Sequence, residues 1–324
     1  MKTVLITGGA GFIGLHLTRA LLKRGDRVII ADNFSRGSYD QDLLSLAQHR
    51  NCILDHVDLT QGFWPSESPD AVVHLAAIVG VQNVVDNPMK VLTTNVAALQ
   101  MVLEQASKFR NLRNFIFAST SEVYAGSVAM NLATIPTPEA TPLTLMNSGD
   151  PRATYMLSKI YGEEMCLSSG LPVTIIRPHN IYGPRMGLSH VIPELLQQAW
   201  HANPRSLLDV ASVEHTRTFC FVADAVRYLL SLLDSSGNGQ VYNLGRQEPE
   251  ISIGALALQI ISAVGKELTV NPRPATHGSP ERRAPDMTSL IRLTGIQPEY
   301  DLTDGIRYTL NWYGDNVFLW DKGN

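Results

Sequence analysis

The chain has 324 residues, 44% of them hydrophobic and 17% charged, a balance that fits a globular protein with a large buried core. A net charge of −4 without any basic run argues against nucleic acid as a partner. No stretch is apolar for long enough to span a bilayer, and three scattered cysteines (Cys52, Cys166 and Cys220) form no disulfide framework. They read as packed thiols in a reducing compartment. No His/Cys cluster has metal-ligand spacing, so no metal is expected. The first strand has no charged lead, long apolar core or cleavage site before it, so the expected location is the cytoplasm.

Residues 3–7 are an apolar run that predicts a strand. It feeds a glycine-rich turn, Gly8-Gly9-Ala10-Gly11, and then an apolar-periodic helix over 12–23 that stops near Gly25. Gly8 and Gly11 let a phosphate approach the backbone, and the helix start offers unpaired N–H groups and a positive dipole end. Gly14, one turn on, permits close helix–strand packing. A second strand over 27–31 ends in Asp32, at the spacing of a carboxylate that bonds an adenosine ribose. A lone glycine fingerprint also fits a plain turn; the strand before it and the acid after it favour a dinucleotide.

Further units follow. A short helix is predicted over 40–48, strands over 53–57 and 71–75, a helix over 88–108, and a strand over 115–118. A helix over 155–168 and a strand over 173–177 come next. Repeated βα units imply a doubly wound parallel sheet of Rossmann type, with ligands at the carboxyl ends of its strands. Beyond it the pattern loosens. Helices are predicted over 191–201, 223–233, 253–264 and 304–313, and strands over 206–210, 218–222 and 241–244. Residues 271–285 read as a proline-rich, basic loop. The expected division is an NAD-binding domain over 1–178 and about 216–246, interleaved with a smaller substrate lobe over about 179–215 and 247–324.

Three groups could carry chemistry. Tyr155 and Lys159 are four apart on a helix and share a face; an ammonium and a nicotinamide cation would both favour a tyrosine phenolate. The same spacing also fits a solvated helix surface. Ser119-Thr120-Ser121-Glu122 follows the fifth strand, where a hydroxyl could bridge a substrate hydroxyl to Tyr155, and Glu122 could act as acid or base. A polar turn reads the same way. Asn180, Arg185, Arg217, Arg282 and Arg283 fall in the substrate lobe, and arginine forks suit a diphosphate. Each alone reads as a surface charge. His74 reads as a structural hydrogen-bonding residue, while His179 and His190 stay open.

Taken in order, these residues resemble the extended short-chain dehydrogenase/reductases that modify nucleotide sugars, nearly end to end. Thr7-Gly8-Gly9-Ala10-Gly11-Phe12-Ile13-Gly14 resembles the TGGAGFIG fingerprint, and Asp32-Asn33-Phe34-Ser35 resembles DNFS. Asp58-Leu59 matches the adenine-side pair, His74-Leu75-Ala76-Ala77 the HLAA stretch, and Asn95 a helix asparagine. Tyr155-Met156-Leu157-Ser158-Lys159 is the YxxSK core, and the segment from Arg177 to Arg185 resembles RxxNxYGPR. Arg217 and Arg283 resemble diphosphate-binding arginines. The resemblance implies that Gly8, Gly11, Phe12, Ile13, Asp32, Asn33, Ser35, Asp58, Leu59, Leu75, Ala76, Ala77, Asn95, Tyr155, Lys159 and His179 bind NAD. Thr120, Ser121, Asn180, Arg185, Val191, Arg217 and Arg283 would bind the substrate. Asp32 favours NAD over NADP, with Arg36 as a nearby counter-charge.

The implied chemistry starts when Tyr155, helped by Thr120 and Lys159, takes the sugar C4 hydroxyl proton as hydride passes to NAD. Dehydration, decarboxylation or epimerisation of the 4-keto sugar follows, and NAD is recycled. Thr120-Ser121-Glu122-Val123-Tyr124 resembles the TSEVY of UDP-glucuronate decarboxylases and GDP-mannose dehydratases, which makes Glu122 the fourth catalytic candidate. A UDP-sugar is favoured because it is the commonest carrier in that family. The alternatives are a simple UDP-sugar 4-epimerase and a non-catalytic NAD-binding sensor or scaffold. The helices over 88–108 and 155–168 carry apolar faces that either cover the sheet or pair two copies; a homodimer is expected.

Overall fold

The computed structural model describes residues 1–62, 64–145, 150–276 and 278–319. Six strands arrive in succession: β1 (Thr3–Thr7), β2 (Arg27–Asp32), β3 (Cys52–His56), β4 (Ala71–His74), β5 (Asn114–Ala118) and β6 (Val173–Pro178). The chain then leaves the sheet through four short strands, β7 (Ile181–Tyr182), β8 (Leu207–Ala211), β9 (Thr216–Arg217) and β10 (Cys220–Phe221). It returns as β11 (Gln240–Leu244), beside β6. The sheet order is β11-β6-β5-β4-β1-β2-β3, and every neighbouring pair is parallel. This is the doubly wound Rossmann arrangement, so the strand ends near residues 7, 32, 74, 118 and 178 share one edge.

The helices are α1 (Phe12–Arg24), α2 (Gln41–Ala47), α3 (Val81–Asp86), α4 (Pro88–Ala106), α5 (Ala125–Ala129) and α6 (Pro151–Leu167). After them come α7 (Val191–His201), α8 (Val222–Asp234), α9 (Ile253–Val264), α10 (Thr288–Thr294) and α11 (Leu302–Tyr313). Strand residues alternate between two buried layers. Val4, Ile6, Val28, Ile30, Val73 and Ile116 pack with Leu17 and Leu21 of α1 and Leu229 of α8. Leu5, Ile29, Val72, Phe115 and Phe117 pack on the opposite face with Leu99 and Val102 of α4 and Cys166 of α6. Each such side chain contributes about 1.5–3 kcal/mol when fully buried. The first layer continues without a break into Leu195 of α7, Leu208 of β8, Ile260 of α9 and Leu310 of α11.

Several predicted boundaries move, each for a local reason. The helix expected to begin at Tyr155 begins at Pro151, because the Asp150 side chain accepts from Arg152 N and proline suits the first helical position. The strand expected over 218–222 shortens to the two residues of β10, with β9 just before that span, because Val222 already starts α8. The loop expected over 271–285 contains the end of β13 (Thr269–Arg273), parallel to β8, and β14 (Arg282–Arg283), parallel to β9. Arg217 of β9 also pairs antiparallel with β12 (Ile251–Ser252). The last helix starts at Leu302 because Asp301 caps it. Cys166 and Cys220 are buried, Cys52 is half-buried, and all three are free thiols.

His74 joins two strands at the site edge: its Nδ1 lies 2.8 Å from Thr7 Oγ1, and both residues are buried. Burial, reinforced by the Lys159 charge, depresses its pKa to about 3, well below the ordinary ~6.5. Between those values the unfolded chain binds the proton and the native chain does not, so stability falls as pH drops through that window. The expected result is a melting temperature that declines below pH ~6.5, with a shallower decline for His74→Asn. Thermal unfolding across pH tests this; an unchanged slope in the variant rejects the role.

Candidate active site

The glycine turn closes on the β1 and β4 ends. Gly8 sits at φ +72°, and a Cβ there would lie 2.7 Å from Ala76 N; one on Gly14 would lie 2.6 Å from Gly8 O. Gly11 precedes α1 with extended backbone and no side-chain cap, so the first-turn N–H groups that begin with Phe12 and Ile13 are open to an anion. Asp32, buried at the end of β2, accepts from Ala10 N (3.0 Å) and Phe34 N (2.8 Å), which fixes its carboxylate against the turn. Leu75, Ala76 and Ala77 are half-buried along the opposite wall. A helix start and a fixed carboxylate on one side, with small residues opposite, form an arrangement that fits a dinucleotide.

The remaining candidates on this side differ in placement. Asn33, Ser35 and Asp58 are exposed, and Leu59 is buried. Asp58 Oδ1 accepts from Thr60 N, and Asn33 Oδ1 from Ser35 N. Asn95 is buried in α4 and grips the loop after β4: its Oδ1 accepts from Ile78 N at 2.7 Å and its Nδ2 donates to Ile78 O. Arg185, grouped with the substrate arginines from sequence, has its guanidinium on the glycine turn instead. Nη1 donates to Ala10 O (2.6 Å) and Gly11 O, Nη2 to Ser38 O, and Nε to Asp40.

Thr120, Tyr155 and Lys159 converge at the end of β5. Tyr155 and Thr120 share a side-chain hydrogen bond, and Thr120 Oγ1 also accepts from Glu122 N. Burial lifts the Tyr155 pKa to about 12, although the Thr120 bond and the Arg36 charge oppose the rise. Lys159 is buried, donates to Ala118 O at 2.7 Å and lies 5.9 Å from the Tyr155 ring centroid. Burial lowers its pKa to about 8. Without a second cation beside it, Tyr155 is a neutral phenol at physiological pH.

A buried ion pair that the motif pattern did not single out holds α6 against the sheet. Arg177 donates from Nε and Nη2 to Glu163 at 2.9 and 2.6 Å, and both side chains are 5% exposed. Ser119 Oγ donates to the same carboxylate, and Arg177 Nη1 donates to the Tyr124 hydroxyl and to Glu139 O. The available signal was spacing: Glu163 follows Lys159 by four residues and Tyr155 by eight, on the same helix face.

The substrate side is cationic. Glu122 meets Arg283 at 2.7 Å and Arg152 at 3.4 Å; Arg283, with Arg152 assisting and burial opposing, holds its carboxyl below the usual range. Arg217 is buried and bonds the 279–281 segment at Ser279 Oγ, Pro280 O and Glu281 O. Ser121 is buried beside Glu122, and Val191 opens α7. Asn180 takes φ +40° and donates to Thr218 O at 2.9 Å. His179 is buried against Tyr124 and Asn243. Arg152 was not foreseen, although it precedes Tyr155 by three residues. No group of metal-binding side chains forms among the described residues.

Residues 4–245 match the NAD dependent epimerase/dehydratase family. The chain is similar to a UDP-N-acetyl-alpha-D-glucosaminuronate decarboxylase of Bacillus cytotoxicus, 34% identical over 96% of this chain and 98% of that one. It is 31% identical to UDP-glucuronic acid decarboxylase 1 of Xenopus tropicalis, over 96% of this chain and 72% of the relative. Among solved structures it resembles a UDP-glucuronic acid 4-epimerase from Bacillus cereus in complex with UDP-glucuronic acid and NAD, at 25% identity. That likeness has a TM-score of 0.80 and covers 97% and 99% of the two chains.

Two variants probe this framework. Glu163→Gln leaves Arg177 buried without its anion and is expected to cost about 3–5 kcal/mol of folding stability, read by denaturant unfolding. Arg185→Met releases the glycine turn; NAD affinity in calorimetry is expected to fall roughly tenfold or more through lost charged hydrogen bonds. Wild-type affinity in that variant rejects the anchoring role.

Proposed function

Because this chain belongs to the NAD-dependent epimerase/dehydratase family, we propose that it is a nucleotide-sugar enzyme that decarboxylates a UDP-hexuronate. The observation that carries this reading is the Arg152–Glu122–Arg283 cluster beside Thr120 and Tyr155. With Arg217 nearby, three guanidinium groups face one carboxylate, an excess of positive charge suited to a substrate with a diphosphate at one end and a carboxylate at the other. The decarboxylase named for the 34% identical relative supports the same choice.

The residues then take defined roles. Gly8, Gly11, Phe12, Ile13, Asp32 and the wall at Leu75, Ala76 and Ala77 hold NAD, which when bound accepts and returns the C4 hydride. Lys159 positions the ribose and stabilises charge near Tyr155. The Tyr155 phenolate, bridged by Thr120, takes the C4 hydroxyl proton. Oxidation leaves a ketone at C4, so the C6 carboxylate becomes that of a β-keto acid. Its C5–C6 bond breaks, carbon dioxide leaves, and the electron pair moves into an enolate whose oxygen faces Thr120 and Tyr155. C5 takes a proton from water, and return of hydride to C4 restores the alcohol. Glu122 is ionised here and orients Arg152 and Arg283 on the uronate.

The reading includes a homodimer through α4 and α6, whose outer faces expose Met89, Leu157, Tyr161 and Leu167. It includes the cytoplasm as location; no helix among the described residues is long and apolar enough to cross a membrane.

The test is mass spectrometry and proton NMR of UDP-glucuronate and UDP-N-acetylglucosaminuronate incubated with the protein and NAD. Loss of carbon dioxide is expected. An unchanged mass with altered sugar couplings makes the protein a 4-epimerase, the reading favoured by the Bacillus cereus structure. Tyr155→Phe is expected to lower kcat by about 10²–10⁴-fold while NAD binding persists. Full activity in that variant rejects the mechanism.

A further inference from the structure

The surroundings of His179 decide which of its nitrogens carries the proton. Asn243, in β11, directs both amide hydrogens at main-chain carbonyls: Thr137 O at 2.9 Å and Asp286 O at 3.1 Å. Its Oδ1 therefore faces the Tyr124 hydroxyl at 2.9 Å and His179 Nε2 at 3.1 Å. The Tyr124 hydroxyl accepts from Arg177 Nη1 at 2.8 Å, so its own hydrogen points to Asn243. Asn243 Oδ1 accepts twice, and His179 Nε2 must be the N–H. Burial keeps the ring neutral, with the nearby Arg283 charge acting the same way. Nδ1 is left as a bare lone pair.

That lone pair has no partner among the described residues. His179 is 1% exposed, and its Nδ1 is a buried polar atom without a hydrogen bond. The ring lines a pocket shared with Ser121, Tyr124, Ala125 and Arg283, next to the Glu122 cluster. A buried acceptor without a donor is unfavourable, and buried polar groups in native proteins are nearly always satisfied. A histidine here, held in one tautomer by a chain of three side chains, is an acceptor waiting for a donor. It cannot receive a carboxylate or a phosphate, since both are acceptors themselves.

We propose that His179 Nδ1 reads the sugar, accepting a hydrogen bond from a ring hydroxyl or amide N–H held beside the arginine cluster. The proposal rests on the nucleotide-sugar reading of the same pocket. It makes His179 a specificity-determining residue for substrate, where sequence resemblance grouped it with the cofactor.

The test compares wild type, His179→Phe and His179→Asn, each saturated with NAD, in calorimetric titrations with UDP-glucuronate and with UDP. Phenylalanine keeps the ring and removes the acceptor; asparagine keeps an acceptor near the Nδ1 position. The expected result is about a tenfold loss of UDP-glucuronate affinity in His179→Phe, unchanged UDP affinity, and recovery of most of the loss in His179→Asn. Equal losses for UDP and UDP-glucuronate overturn the proposal, as does a lower melting temperature with unchanged affinities, which marks an acceptor filled by water. Weaker NAD binding with unchanged UDP-glucuronate affinity overturns it in favour of a cofactor contact. If wild type binds UDP-glucuronate no better than UDP, the nucleotide-sugar reading fails first, and His179 has no sugar to read.

Discussion

The pairing of Arg177 with Glu163 is the constraint on which the rest of the site depends. Two charges at 5% exposure are stable in a protein interior only when geometry and extra hydrogen bonds offset their desolvation. Here the fork is bidentate, and Ser119, Tyr124 and Glu139 satisfy the remaining groups. The pair ties the end of β6 to α6, and Ser119 ties both to the end of β5. Thr120 follows Ser119 directly, and Tyr155 and Lys159 lie two turns and one turn before Glu163. A rigid polar knot thus fixes the distance between the helix that carries the phenol and the strand end that carries its hydroxyl partner. Catalytic groups need such support from neighbours whose own positions are locked.

The same knot sets the protonation pattern around it. Tyr124 transmits the Arg177 orientation to Asn243, and Asn243 transmits it to His179. On the other side of Tyr155 the charges are arranged by repulsion as much as attraction: burial, and then the neighbouring Arg283 charge, lower the Arg217 pKa, while the arginines hold Glu122 ionised. Burial holds Tyr155 as a neutral phenol, so in the proposed mechanism its phenolate depends on a cation that arrives with the cofactor. In that mechanism binding and activation are the same event.

Sequence reading recovered the sheet because its central strands are continuous apolar runs buried on both faces, and the first two end at a glycine turn and an acid. Thr3–Thr7 with Gly8, or Arg27–Asp32, could hardly be read otherwise. It missed elements too short to have a period, such as β9 and β14, whose pairing comes from Arg217 and the 279–283 segment meeting in space. Tyr155, Lys159 and Glu122 were legible from spacing and position. Arg152 was not, because one arginine at a helix start looks like any surface cation until Glu122, thirty residues earlier, lies against it. Arg185 shows the converse: its neighbours in sequence point to the substrate lobe, while its guanidinium reaches back across 175 residues to Ala10. Long-range partners of that kind leave no local pattern.

One feature of the sheet bears on how the protein is made. β11 closes the edge beside β6, yet 61 residues, from 179 to 239, lie between them in the chain. During synthesis the edge of β6 stays open until Leu244 has left the ribosome, and Asn243, which completes the His179 chain, arrives only then. At roughly 5–20 residues per second that interval lasts several seconds. An unpaired, apolar, parallel strand edge is a template for wrong partners during that time. The nascent chain accordingly has a defined vulnerable window, and a chaperone that covers β6 would act there.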